Sequence, residues 1–267
     1  TGEYTDEHWG FVEPTDTDML LVPDPDSLRK VPWAREPTAQ IIADCYKASG
    51  EPHPLASRNV LKHILRLYEE AGLRAQVAPE VEFFLVQKNT DPDYELMPPK
   101  GRSGRREVAR MSFSIDAVAE FEDFVEDMYD FADAQALDVD TLIHENGAAQ
   151  LEINFNHGDP LDRADQAFVF KRTVRETAQR HNMYATFMAK PMQKEPGSAL
   201  HIHQSILSLE TGKNIFNGPD DEPTAELMHS LAGLQRYTPD LISFYAPHVN
   251  SYRRLARDIS APINLSW

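Results

Sequence analysis

Three short segments each place two chemically capable side chains two residues apart inside an apolar run. They are Glu80 and Glu82 within 78–85, Glu152 and Asn154 within 150–156, and His201 and His203 within 199–205. On a β-strand, side chains at i and i+2 point to the same face. Each pair is therefore expected on one face, with Val81, Phe83, Leu151, Ile153, Leu200 and Ile202 entering the core behind it. A sheet face lined with carboxylates and imidazoles gathers charge that water neutralises poorly and divalent cations neutralise well. The pattern points to a metal-assisted active site. Singly, each element has a plainer reading. A Glu-x-Glu doublet also fits an exposed face, and two histidines at i and i+2 also fit structural roles. Glu145, before Gly147, Ala148 and Ala149, also fits an ordinary turn acid. Their joint occurrence carries the metal reading.

The elements that must position these residues are legible in outline. Strands are expected over Met19–Val22, Thr38–Cys45, Val77–Gln87, Thr141–His144, Gln150–Asn156, Ala185–Ala189 and Ala199–Leu209. Helices are expected over Pro54–Ala71, closed by Gly72, over Asp116–Leu137 with Asp116 as N-cap, over Leu161–Asn182, and over Thr224–Tyr237. In the third of these, Ala164 and Phe168 mark an apolar face and Lys171, Arg172 and Arg175 a basic one. Asn89–Arg110, rich in Pro, Gly and charge, reads as a long loop, and Lys190–Ser198 as a shorter one. Isolated helices between strands with one polar face predict an α+β fold with a largely antiparallel sheet.

Bulk composition narrows the function classes. The chain has 267 residues, 41% of them hydrophobic and 26% charged, which suits a globular protein with a full core. A formal net charge of −17 makes nucleic acid a poor partner, whereas a nucleotide can enter with its own cations. No apolar run is long enough to span a bilayer, and no export signal is visible, so no membrane role is expected. Cys45 is the only cysteine, which rules out an internal disulfide framework and suits the cytoplasm.

The ordered series around Glu80–Glu82, His144–Asn154, Lys171–Val174, Ala185–Pro191, Gly197–Ser205 and Asn250–Arg254 resembles the catalytic domain of glutamine synthetases. The likeness runs from near Pro23 to Trp267, and the wording of Glu195–Ser205 looks more like the γ-glutamylpolyamine (γ-glutamylputrescine) synthetase branch. The resemblance implies a largely antiparallel curved sheet with flanking helices. It implies that ATP phosphorylates the side-chain carboxylate of glutamate and that an amine displaces phosphate. Phosphoryl transfer of this kind relies on positioning and charge neutralisation rather than on a protein nucleophile. By likeness, Glu82, Glu145 and Glu152 hold one Mg²⁺ or Mn²⁺ near glutamate, and Glu80 and His201 hold a second one at the ATP phosphates. His203 and Ser205 line the nucleotide site, Gly197 approaches glutamate through its backbone, and Arg254 clamps the glutamate carboxylate. A guanidinium fork suits that last task, since it meets a planar carboxylate with two hydrogen bonds. Lys190 reads as a solvated loop lysine.

The match has departures. The family's small amino-terminal β-domain is expected before Thr1, and a segment with several arginines and another carboxylate ligand after Trp267, so residues 1–267 read as a partial catalytic domain. Ser260 stands where ammonia-using relatives carry a glutamate, and Pro196 replaces an asparagine before Gly197. Both favour an organic amine over ammonium as the nucleophile. The competing readings are a true glutamine synthetase using ammonia and a family member kept only for structure, though all five ligand positions retain metal-competent side chains. The resemblance also implies homo-oligomeric rings, dodecamers in this family.

Overall fold

The computed structural model describes residues 18–89, 91, 93–108 and 110–255. Its centre is one long strand. β5 (Leu73–Gln87) collects all the chemistry-bearing segments because both of its edges are paired. On one edge lies β7 (Gln150–Phe155), which in turn pairs with β6 (Val139–His144). On the other edge, β8 (Met183–Thr186) pairs with the end of β5 and β9 (Leu200–Ser208) with its first nine residues. Every pairing is antiparallel. Register then does the positioning: Glu82 faces Glu152 across β5–β7, and Glu80 faces His201 across β5–β9.

The period of two sorts the two faces. Val81, Phe83 and Leu85 join Leu151, Ile153 and Phe155 in the main core, with Phe124 and Met128 of α3 (Glu122–Ala134) and Phe170 and Val174 of α4 (Pro160–Arg180). Phe83, Leu151 and Ile153 are completely buried. On the opposite face, Phe84 and Val86, further along β5 than the carboxylates, form a small cluster with Met192.

Leu200 and Ile202 do not follow. They are 50% and 59% exposed, because the helices pack on β5 and β8 and leave the first half of β9 uncovered among the described residues. The predicted strand over Thr38–Cys45 is two strands with different partners. β3 (Ala39–Gln40) pairs with β2 (Arg29–Lys30), which no sequence pattern announced, and β4 (Ala43–Tyr46) pairs with β1 (Leu20–Pro23). The helix expected over Asp116–Leu137 is also divided, into α2 (Ile115–Ala119) and α3, with Phe121 leaving helical geometry between them. Its N-cap is Ser114, whose hydroxyl accepts from the Ala117 amide, and not Asp116. β8 begins two residues early and ends three early, so Phe187–Ala189 belong to the following loop.

α1 (Ser57–Glu70) ends with Gly72 at φ +74°, the left-handed geometry that glycine adopts without strain. α1 is tied to the paired strands β1 and β4 and to α4 by Arg58, which reaches Asp24, Asp44 and Asp165 at 2.6–2.8 Å. These contacts hold the Asp24 carboxyl below its usual range, and Lys62 and Arg58 do the same for Asp44 against its burial. α5 (Ala225–Tyr245) continues eight residues beyond its expected end, through Pro239, and α6 (Val249–Arg254) follows.

α4 starts at Asp159, whose carboxylate accepts from the Leu161 and Asp162 amides at 2.9 and 3.1 Å, with Pro160 in the first turn. Asp159→Ala is expected to cost about 1 kcal/mol, read as a lowered urea midpoint with an unchanged slope. A fall in slope instead would mean that the start of α4 is not held as described.

Candidate active site

The face of β5 that carries Glu80 and Glu82 is joined by Glu152 from β7 and by His201 and His203 from β9. One potential ligand atom from each of Glu80, Glu152 and His201 lies within 4.8 Å of the others. His201 Nδ1 is 3.2 Å from one Glu80 oxygen, and His203 Nε2 is 2.7 Å from the other. Glu152 is only 5% exposed. Its burial, reinforced by the negative charges of Glu80, Glu145 and Glu82, pushes its carboxyl up to about 7. Burial also raises Glu82, with Glu145 adding to it, while the Ala199 amide, His201 and Arg254 pull the other way.

Hard carboxylate oxygens with one imidazole suit Mg²⁺ or Mn²⁺. Two further observations agree with a cation there. Burial and the neighbouring carboxylates all disfavour a negative charge on Glu152, and the Asn154 side-chain oxygen on the same face is buried without a hydrogen-bond partner among the described residues. The donor set therefore fits a divalent ion.

The five residues named as ligands lie near one another, and three of them approach most closely. Glu80, Glu152 and His201 come together across three strands. Glu82 is engaged elsewhere: its Oε2 accepts from Gln150 Nε2 at 2.9 Å and from the Ala199 amide at 3.0 Å. Glu145 stays at the start of its turn, where its Oε2 accepts from the Asn146 amide at 3.2 Å. Ser205 lies further along β9, opposite Gln76, and is half-buried. Gly197 and Arg254 meet: a methyl group on Gly197 would run into the Arg254 side chain. Arg254 Nε is buried without a partner among the described residues. Arg257, Asp258 and Ser260 lie outside the described residues.

Three supporting residues escaped the sequence reading. Gln150 ties the site together: its amide nitrogen reaches Glu82 and the Gly197 carbonyl, and its oxygen accepts from the Gly147 amide. Glu107, from the long loop, accepts from the Ala149 amide at 2.8 Å and lies 2.9 Å from His144 Nε2. Asn250 of α6 closes a pair of hydrogen bonds with the backbone of Lys190. The loop 190–198 is also pinned to the Glu145 turn, through Glu195 Oε2 and the Ala148 amide. Gln150 stood inside a recognised motif, so its place was a usable signal. Glu107 had none.

Known proteins complete the assignment. A family profile described as "Glutamine synthetase, catalytic domain" matches residues 54–267. The glutamine synthetase of Pyrococcus abyssi (strain GE5 / Orsay) is 33% identical over 258 residues, 97% of this chain and 55% of that protein. The gamma-glutamylputrescine synthetase PuuA of Escherichia coli (strain K12) is 34% identical over 255 residues, 94% of this chain and 53% of that protein. A solved structure titled "Apo GmaS without ligand" superposes with a TM-score of 0.79 at 28% identity, covering 95% of this chain and 58% of its own. The chain belongs to the glutamine synthetase catalytic-domain family. It spans about half the length of the curated relatives it matches.

Proposed function

We propose that this chain carries the catalytic residues of an ATP-dependent ligase that joins an amine to the γ-carboxylate of glutamate through a γ-glutamyl phosphate. The observation that carries the reading is the convergence of Glu80, Glu152 and His201 from three strands. Glu80, Glu82, Glu145, Glu152 and His201 are the residues that would hold divalent cations, which when bound offset phosphate charge. His203 and Ser205 line the nucleotide end. Arg254, steadied against Gly197, orients the glutamate carboxylate, so that transfer and amine attack occur between groups already in place.

Within the family, we place the chain with enzymes that use an organic amine. Its similarity to the putrescine-using relative, Ser260 and Pro196 favour that branch. An equally similar glutamine synthetase favours ammonia as the second reading. The proposal extends to Mg²⁺ or Mn²⁺ as the ion, to ring-shaped homo-oligomers, dodecamers by family likeness, and to a cytoplasmic setting. No helix among the described residues is long and apolar enough to cross a membrane.

ADP release should be followed with glutamate, Mg-ATP and, separately, putrescine, spermine, ethanolamine or ammonium. Turnover with an organic amine at concentrations where ammonium gives none is the expected result. Turnover with ammonium alone would overturn the branch. Calorimetric titration with Mn²⁺ tests the site itself, and an absence of binding would favour a purely structural protein.

A further inference from the structure

A second cavity lies where the sheet edge splits. β8 leaves β5 at Phe84 and β9 joins it at Val81, so the backbone around Glu82 faces a gap that the chain 187–199 bridges. The cavity there has a volume of about 640 Å³, within the usual range for small-molecule sites. Val81 and Phe187, from the helix-covered face, form part of its wall. Of the residues assigned to the metal and substrate sites, Glu82 lines it, and Glu80, Glu145, Glu152, His201 and Arg254 do not.

Two cations from consecutive turns of α4 enter this cavity, Lys171 and Arg175. Both stand over the Phe187 ring, the ammonium 5.5 Å and the guanidinium 5.1 Å from its centre. Like charges four residues apart on a helix repel, and among the described residues neither has an ion-pair partner at salt-bridge distance. Burial, with Arg175 adding to it, holds the Lys171 ammonium below its ordinary range. In a chain of net charge −17, these two cations, Lys171 half-buried and Arg175 exposed, share the cavity wall with one carboxylate, Glu82, whose Oε2 is taken up by Gln150 and the Ala199 amide. On the other wall, Ser198 Oγ is buried without a hydrogen-bond partner among the described residues. Phe244 and Tyr245, 78% and 61% exposed, stand at the cavity from the end of α5.

We propose that this cavity binds a small organic anion, its carboxylate or phosphate held between Lys171, Arg175 and Ser198 and its apolar body against Phe187 and the α5 aromatics. The anion relieves the repulsion between the two cations, and the rings supply apolar contact that a bare inorganic ion cannot use. The proposal does not rest on the ligase reading, since Lys171, Arg175, Ser198 and Phe187 are not among the residues assigned to the metal site, although Glu82 shares the cavity wall.

Saturation-transfer NMR and calorimetry on the whole chain, with phenylacetate, phenyl phosphate and inorganic phosphate as probes, test it. Single-site binding of at least one aromatic anion is expected, at least tenfold tighter than inorganic phosphate. Lys171→Met and Arg175→Gln should each weaken it about tenfold, and Lys171→Arg should restore it to within threefold. Glu152→Gln, which does not line the cavity, should leave it unchanged. Arg175 is exposed, so its substitution keeps the test valid if Lys171→Met fails to fold. Absence of binding by both aromatic anions at millimolar concentration would overturn the proposal. So would binding indifferent to Lys171 and Arg175, or equal affinity for inorganic phosphate.

Discussion

Glu152→Gln is expected to stabilise the protein in the absence of metal at pH 8 and to destabilise it relative to the native sequence once Mn²⁺ is present. The buried Glu152 carboxyl titrates near 7 in the folded chain, against 4.5 for an ordinary glutamate. A carboxylate raised in this way costs nothing below the unfolded value, where both states are protonated. Its penalty grows as pH rises from 4.5 and is fully present above 7. The size follows from the shift, up to about 3 kcal/mol. Glutamine has nearly the same shape, cannot ionise, and offers an amide N–H₂ to the surrounding carboxylates. In chelator at pH 8 the variant should therefore melt up to about 6–12 °C higher, and at pH 4.5 the difference should disappear. Addition of Mn²⁺ at a thousand times its dissociation constant should stabilise the native chain by about 4.1 kcal/mol and the variant hardly at all. The two melting curves then exchange order. A variant that melts lower than the native chain at pH 8 without metal would mean that Glu152 is not held among opposing charges.

That trade, stability given up for a charge concentrated at one point, explains why the site was legible before the structure. Burying carboxylates on one sheet face leaves a period-two signature in the sequence. Glu80–Glu82, Glu152–Asn154 and His201–His203 all obey it, and register brings them together. The same period failed for Leu200 and Ile202. Alternation says which residues share a face, but a helix must also cover that face, and α4 lies over β5 and β8 instead. The break between α2 and α3 was hidden for a related reason. Apolar spacing continues through Phe121, which is buried like its helical neighbours although its own backbone is not helical. Gln150 and Glu107 act through single hydrogen bonds to groups 37–68 residues away, and no local spacing encodes such a partner. The basic face of α4 was visible as Lys171, Arg172 and Arg175. That two of these share a cavity with Ser198 follows only from the split between β8 and β9.

With Arg254 orienting glutamate as proposed, Gly197→Ala should nearly abolish ligation while leaving the Glu80–Glu152–His201 cluster intact. A methyl group there would collide with the Arg254 side chain and sit 2.5 Å from the Ala189 carbonyl oxygen. The arginine can swing aside, but the Ala189 carbonyl is backbone, fixed by a 2.9 Å hydrogen bond from the Ser198 amide. Both the guanidinium and the loop must therefore move. Loop movement also breaks the bond from Gln150 Nε2 to the Gly197 carbonyl. Displacing a substrate-orienting group by about 1 Å can cost on the order of a hundredfold in rate, and the loss should fall on both the KM for glutamate and kcat. Mn²⁺ affinity should change less than about threefold, because Glu80, Glu152 and His201 do not touch Gly197. A double-mutant cycle separates the two causes. If the collision with Arg254 dominates, Gly197→Ala adds little to Arg254→Ala; if the Ala189 carbonyl dominates, the two losses add. Should Gly197→Ala keep full activity, the contact between this glycine and Arg254 would have no part in holding glutamate.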